Sequence, residues 1–407
     1  MPTTHYQILI GGSLALAAIL AGRFAARLGT PLLLVFLVLG MLAGEDGPGG
    51  IAFDDFGLSY LFGSVALVVI LFEGGLKTSR PMLSLALGPA FLLATFGVAV
   101  SGLLVGASVV ALLGVPWPAG LLIGAMVAPT DAAAVASVLR MARLAVPDRV
   151  VAVLEIESGL NDPMSVFLTL ALVQMLLLPG VLPGAEAWPD LARHLALSFL
   201  REMLGAAVLG LACGWGLLWI VRRLPDDASL LPALLLAGAL ALFGGAQMLD
   251  TSGFLAVYLA GIVVGNGAGE QAKPIERAYE AFAWIAQIGL FLMLGLLVNP
   301  HDMLPLLWAS AAMAGVLIVL ARPLAVLLCL VPFGFTWRET GFVGWVGLRG
   351  AVPIYLAMIP VLEGVPHGDI GFTSVFAIVV LSLAVQGWSI RPVARLLGYQ
   401  DAAAEHG

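Results

Sequence analysis

The sequence predicts an all-α polytopic membrane protein, and three observations predict it. Of 407 residues, 61% are hydrophobic and 11% charged, more apolar surface than one water-facing core can hide. Apolar runs recur from Tyr6 to Leu397, each near or above the ~20 residues that cross ~30 Å of hydrocarbon, with some shorter or broken. Lys and Arg gather at alternate junctions between those runs, as they do on the cytoplasmic side of a membrane.

Breaks rich in charge, Gly or Pro divide the chain into thirteen spans, at 6–28, 30–44, 56–77, 81–114, 117–141, 148–179, 190–223, 228–249, 251–268, 273–299, 303–332, 337–361 and 370–398. The opening MPTTHYQ has no positive region, so span 1 reads as a retained helix rather than a cleaved signal peptide. One side collects Arg23, Arg27, Lys77, Arg80, Arg140, Arg143, Arg149, Arg222, Arg223, Lys273, Arg277, Arg338, Arg391 and Arg395, out of 18 Lys and Arg in all. The other side holds Glu45, Asp46, Asp54, Asp55, Glu186, Asp190, Asp302, Glu363 and Asp369, with only Arg193 and Arg201 near it. The N-terminus is therefore expected outside and the C-terminus in the cytoplasm, and one missed span would scramble this segregation. The net charge of −7 adds little beyond its placement.

An odd count divides as six, a linker (span 7) and six, giving inverted repeats of spans 1–6 and 8–13. Span 5 then answers to span 12 and span 6 to span 13. Span 5 is interrupted by VAPTDAAAV (127–135) and span 12 by GLRGAVPIY (347–355). Proline removes an amide donor and clashes with the preceding turn, so both helices are expected to unwind near mid-membrane and to cross. Paired broken helices in two halves point to a transporter's substrate site.

Span 6 carries EIESGLNDP (155–163), three carboxylates in nine residues. Asp162 lies about 21 Å along the helix from Asp148, deep in the bilayer. At about 100° per residue, Glu157, Asn161, Ser158, Asp162 and Glu155 follow one another across an arc of about 160°. Such a face needs partners or a wet cavity. Asp162 is the first choice for an ion ligand, since carboxylate, Ser hydroxyl, amide and freed backbone oxygens suit hard monovalent cations. The same carboxylate can instead hold a proton; the plainer reading is that it bridges helices.

Asp131 stands where helix N-termini meet and is expected to neutralise them, with Thr130 offering an oxygen to the ion. Glu157 is expected to pair with Arg322 of the ARP segment in span 11, and Arg349 to face the carbonyl ends at the break in span 12. Two readings stand for Glu155, a cation-attracting funnel or a solvated charge. Glu73 is expected to pair with Lys77 at i,i+4. His5, His194, His301, His367 and His406 lie near ends or outer loops, and Cys213 and Cys329 read as small buried hydrophobes. No GxSxG, GxGxxG or P-loop precedes a suitable helix, so neither an enzyme nor a nucleic-acid partner nor a resident cofactor is expected. A cation channel would want a carbonyl filter such as TVGYG, and an intramembrane aspartyl protease on Asp131 and Asp162 would want GxGD; neither is present.

VAPTDAAAV, ESGLNDP, ARP and GLRGAVP, in this order, resemble the signature segments of the monovalent cation/proton antiporter family 1, with LFEGGL (71–76) and LMLGLLVNP (292–300) as weaker matches. The LEIESG context is most similar to the cell-volume-regulation branch of potassium/proton antiporters. The resemblance implies K+ or Na+ exchanged for H+ in an inner membrane, serving pH homeostasis and cell volume, by a homodimer in contact with membrane lipid. It implies one antiporter unit over residues 1–398, with a dimerisation domain of spans 1–3 and 7–10 and a core of 81–179 and 303–398. By motif, the ion-binding aspartate is Asp162, with Asn161, Ser158, Glu157 and Thr130 around it, and Arg322 and Arg349 are the buried arginines. Members of that branch commonly continue into a cytosolic regulatory domain, whereas here only a short tail, 399–407, follows, so that domain is expected to be absent or truncated. With Asn161 where other antiporters have a second Asp, one acid must alternate between one cation and one proton, which predicts electroneutral 1:1 exchange.

Overall fold

A computed structural model describes residues 2–28, 30–131, 134–135, 146–177, 188–224 and 230–399. Arg140, Arg143, Glu186, His406, most of span 5's second half and residues 400–407 lie outside the described residues, as does the side chain of Arg27. Among the described residues the chain forms helices and no β-strand. They are α1 (Pro2–Leu28), α2 (Leu32–Ala43), α3 (Phe56–Lys77), α4 (Arg80–Leu113), α5 (Trp117–Val127), α6 (Asp148–Leu177), α7 (Trp188–Arg223), α8 (Leu231–Met248), α9 (Gly253–Gly267), α10 (Ala272–Leu296), α11 (Pro300–Phe333), α12 (Trp337–Trp345), α13 (Ala351–Leu362) and α14 (Gly368–Leu396). Nine of the described helices are long and apolar enough to cross a membrane, and α2, α5, α9 and α13 are shorter apolar helices.

Local chemistry explains several boundaries. Asp55 caps α3 by accepting the Leu58 amide at 2.8 Å. Thr336 and Glu339 form a reciprocal capping box at the start of α12. Glu339 also accepts both ends of the Arg149 guanidinium, tying α12 to the first turn of α6. The α4 helix stops at Gly114, whose φ of 67° is left-handed and free of cost only for glycine. Both α4 and α11 contain a π-turn, over Leu93–Gly97 and Val316–Ala321.

The helices pack in two groups. In one, α2 and α3 pack on α10, α3 and α7 pack on α9, and α8 closes against α9. In the other, α4 packs on α5, α6 and α11, while α14 packs on α11 and α13. Two crossings in the first group are backbone on backbone. A Cβ on Gly40 would fall 2.2 Å from the Leu292 carbonyl oxygen, and one on Gly295 2.3 Å from that of Leu37. A Cβ on Gly75 would fall 2.3 Å from the Tyr258 carbonyl oxygen, and one on Gly261 2.5 Å from that of Phe72. Close approach of this kind is how helices associate where lipid removes the hydrophobic driving force.

Where the α2–α3 loop meets the start of α11, the His301 amide donates to Asp46 Oδ2 at 3.0 Å and its ring Nδ1 lies 2.5 Å from the same oxygen. These hydrogen bonds hold the exposed Asp46 carboxyl below the ordinary range. A depressed carboxylate stabilises the fold above its unfolded pKa and loses that contribution as pH falls through the folded value, so this contact weakens in acid. Cys329 is buried, but Cys213 is not: it sits on the exposed apolar face of α7, contrary to the burial expected from its hydrophobic run. A membrane helix is apolar all round, so hydropathy alone does not say which side faces lipid.

Candidate functional site

The two interrupted spans unwind and meet. After α5 ends at Val127 the chain runs without helix through Ala128–Asp131, and after α12 ends at Trp345 it runs so through Val346–Gly350. The Asp131 amide donates to the Leu348 carbonyl at 3.0 Å, stitching one break to the other. Asp131 Oδ1 accepts the Ala134 amide at 2.9 Å and its carbonyl accepts that of Val135, an N-cap geometry. A methyl built on Gly350 would fall 1.6 Å from Asp131 Oδ2, so only glycine lets that carboxylate lie over the start of α13.

The carbonyl end of α12 is completed from α14. Gln386 Nε2 donates to the Trp345 carbonyl at 2.6 Å, and Ser382 Oγ accepts the Arg349 amide at 3.2 Å while bonding Gln386 Oε1 at 2.5 Å. Buried Arg349 donates through NH1 to the Gly347 carbonyl at 2.9 Å, on the freed backbone of the break. These are the backbone groups that a helix interrupted in hydrocarbon must satisfy.

The polar arc of α6 sorts by position. At one flank, Glu157 is fully buried and takes the Arg322 guanidinium on both oxygens, NH2 to Oε2 at 2.8 Å. Asn161 Nδ2 donates to Thr130 Oγ1 at 2.8 Å, and that hydroxyl is 3.1 Å from Ser158 Oγ. The Asn161 NH2 thus holds Thr130 beside Ser158, while Asn161 Oδ1 is buried without a hydrogen-bond partner. At the centre and other flank, Ser158, Asp162 and Glu155 line a cavity of about 150 Å³ together with Thr130, Asp131 and the bridged pair Glu73–Lys77; Glu157 and Asn161 do not line it. Asp162 Oδ1 is buried and has no hydrogen-bond partner. Pro163 has no N–H to give to the carbonyl of Gly159, which also lines this cavity. The donors gathered here are all oxygens, a set that suits a hard cation. Among the described residues no three His, Cys, Asp or Glu side chains are placed to hold a metal together.

Several participants escaped the sequence reading. Tyr258 lines the cavity, packs its ring where a Cβ of Gly159 would be 2.5 Å from Tyr258 Cζ, and meets Thr78 Oγ1 through its hydroxyl at 3.1 Å. Gln287 and Glu280 of α10 line it as well. None belongs to a local motif; an ionisable residue and an amide in an apolar helix were the only signals.

A helical membrane protein with two interrupted helices stitched together beside a buried carboxylate has the architecture of a secondary transporter. A sequence model described as sodium/hydrogen exchanger, transmembrane, matches residues 13–396, and the chain belongs to that family. It is 45% identical over 397 residues to the K(+)/H(+) antiporter NhaP of Alkalimonas amylolytica, covering 98% of this chain and 68% of that one. It is 44% identical over 390 residues to the K(+)/H(+) antiporter NhaP2 of Shewanella sp. (strain MR-4), covering 95% and 66%. The chain thus spans about two thirds of the length of these relatives. The structure of the sodium proton antiporter MjNhaP1 from Methanocaldococcus jannaschii at pH 8 superposes with a TM-score of 0.83 at 24% identity, covering 97% of this chain and 99% of that one, a likeness of fold.

Proposed function

We propose that this chain is a secondary antiporter that exchanges a monovalent cation, K+ in preference to Na+, for H+ at one site, Asp162. The observation that carries the reading is the buried, unpartnered Asp162 oxygen at a cavity shared with the Ser158 and Thr130 hydroxyls. A carboxylate there binds a cation or a proton and not both, so each turnover carries one of each in opposite directions and moves no net charge. The 45% identity to a protein named K(+)/H(+) antiporter supports potassium over sodium.

In this reading Thr130, Ser158 and the Gly159 carbonyl share the cation with Asp162, and Asn161 orients Thr130. Glu157–Arg322, Asp131 and Arg349 hold the broken helices in register. Glu155 and Glu73 draw cations into the cavity, which opens to the cytoplasm, where the C-terminus also lies. The second packing group is the moving core and the first, with α1, the dimerisation frame of a homodimer in a bacterial inner membrane. Thirteen spans in inverted repeats fit two pairings. The π-turns fall in spans 4 and 11, and the glycine crossings join α2 to α10 and α9 to α3, which repeat symmetry would exchange. Sliding of the core against the frame then carries Asp162 from one face to the other, an elevator-like cycle.

The test is dequenching of a pH-sensitive dye in proteoliposomes, with K+, Na+, Rb+ and Li+ titrated separately. Wild type is expected to move protons on addition of K+, and Asp162→Asn to lose at least ~100-fold in rate, the scale on which removing an essential proton carrier acts. Exchange that survives Asp162→Asn removes the site from this residue.

A further inference from the structure

The polar face of α6 does not end at Asp162. Ser158, Asp162, Ser165 and Thr169 follow at intervals of four, three and four, and at about 100° per residue they fall within about 60° of one another. Thr169 lies about 10 Å beyond Asp162, toward the Leu177 end and away from Lys77, which borders the cavity. Ser165 and Thr169 are both 0% exposed, and neither Ser165 Oγ nor Thr169 Oγ1 has a hydrogen-bond partner.

A buried helical hydroxyl commonly turns back onto the carbonyl four residues earlier, as Ser64 does on Tyr60 at 2.8 Å and Thr340 on Thr336 at 2.9 Å. Ser59, Ser310 and Ser374 are also buried without a partner, so it is the position of Ser165 and Thr169 that sets them apart. Ser165 and Thr169 continue the line of the two α6 side chains that reach the cavity, Ser158 and Asp162. On the opposite side of the same stretch of α6, Phe167 and Ala171 border a separate apolar cavity of about 360 Å³ against α4, α5 and α7, which Leu168, Leu172 and Met175 also line. The α6 hydroxyls are confined to the Asp162 side, where Ser158 meets Thr130 while Ser165 and Thr169 lack a partner in the conformation seen.

We propose that Ser165 and Thr169 are the lane by which a partly hydrated monovalent cation passes between Asp162 and the compartment at the Leu177 end. Their hydroxyls are idle while the cavity faces the Lys77 end and take up water or the cation when access switches. The inference rests on exchange at Asp162 and adds the second half of the route, the side from which the cavity is closed.

Cysteine accessibility tests it in the full chain, with Cys213→Ser and Cys329→Ala as background. A membrane-impermeant cationic thiosulfonate is applied to vesicles of both orientations carrying Gly74→Cys, Thr169→Cys or Ala171→Cys. Gly74 lines the cavity and has open space where a side chain would go, so it reports the Lys77 side. The expected result is reaction of Gly74→Cys from one face and of Thr169→Cys from the opposite face, at least tenfold faster than Ala171→Cys. A Thr169→Cys that reacts from neither face, or from the face that labels Gly74→Cys, overturns the lane. Thr169→Val, which keeps the shape and removes the hydroxyl, is the second arm. It should raise the apparent KM for cation supplied at the Leu177 side at least fivefold and change that at the other side less than twofold; equal effects on both sides also overturn it. Loss of exchange in Asp162→Asn with an unreactive Thr169→Cys sinks the lane alone, whereas exchange that persists in Asp162→Asn sinks the underlying function.

Discussion

At the scale of residues, Glu157 and Arg322 make the deepest charged contact of the site, bidentate and almost wholly out of solvent. Each charge is tolerable there only because the other is present. Removing one partner, as in Glu157→Leu or Arg322→Met, is expected to cost about 3–5 kcal/mol, while the double replacement recovers much of it because no lone charge stays buried. Unfolding in detergent, followed as a double-mutant cycle, measures this coupling; additive losses would show that the pair does not act as one. The acids of α6 were legible as a cluster because three carboxylates in nine residues are conspicuous in so apolar a chain. The pairing of Glu157 with Arg322 was legible as well, and the structure has it. Thr130 beside Asn161 and the open space by Asp162 were not, because the wheel gives a direction but not what waits there.

Among elements, the break between α12 and α13 depends on the helix that follows it, α14, through a residue 41 positions on. Gln386 of α14 gives its amide to the Trp345 carbonyl, the group left bare when α12 stops. Gln386→Leu leaves that carbonyl and the Ser382 hydroxyl short of partners, and a loss of about 1–3 kcal/mol is expected, with slower exchange. Thermal unfolding and proteoliposome flux check it against Ala171→Ser, which touches neither break. Proline and charge in VAPTDAAAV and GLRGAVPIY announced both interruptions, since neither belongs in a continuous membrane helix. The π-turns in α4 and α11 had no such marker. An inserted residue in a helix is settled by what the neighbouring helix accommodates, and LLATFG and VLIVLA are ordinary apolar sequence.

For the molecule as a whole, the proposed sharing of one acid by two ligands would set the pH response. Protons are competitors, so once they occupy most unliganded sites the apparent KM for cation should rise tenfold for each unit of acidification while the maximal rate holds. Steady-state dequenching from about pH 6 to 9 measures the slope; a KM indifferent to pH, or a steady current after a voltage jump with symmetric ions, contradicts exchange at a single site. Hydropathy and the segregation of arginines made the membrane class readable, and the helices occupy the stretches that the apolar runs marked. The mutual arrangement of the two helix groups was out of reach, because in lipid it is written in glycines whose partners lie about 180 to 250 residues away.

Those glycine crossings have a mechanical corollary. At Gly40 with Gly295 and Gly75 with Gly261, peptide planes rest on peptide planes, leaving no rotamers to yield under load. The wall so formed is stiff, and compliance is left to the aromatic rings that project from it or press on it: Tyr258 against Gly159, and Tyr355 stacked 4.8 Å from Tyr60. In the sliding cycle proposed above, friction along the seam between the two helix groups would be concentrated in a few rings, and the speed of the stroke would be set there.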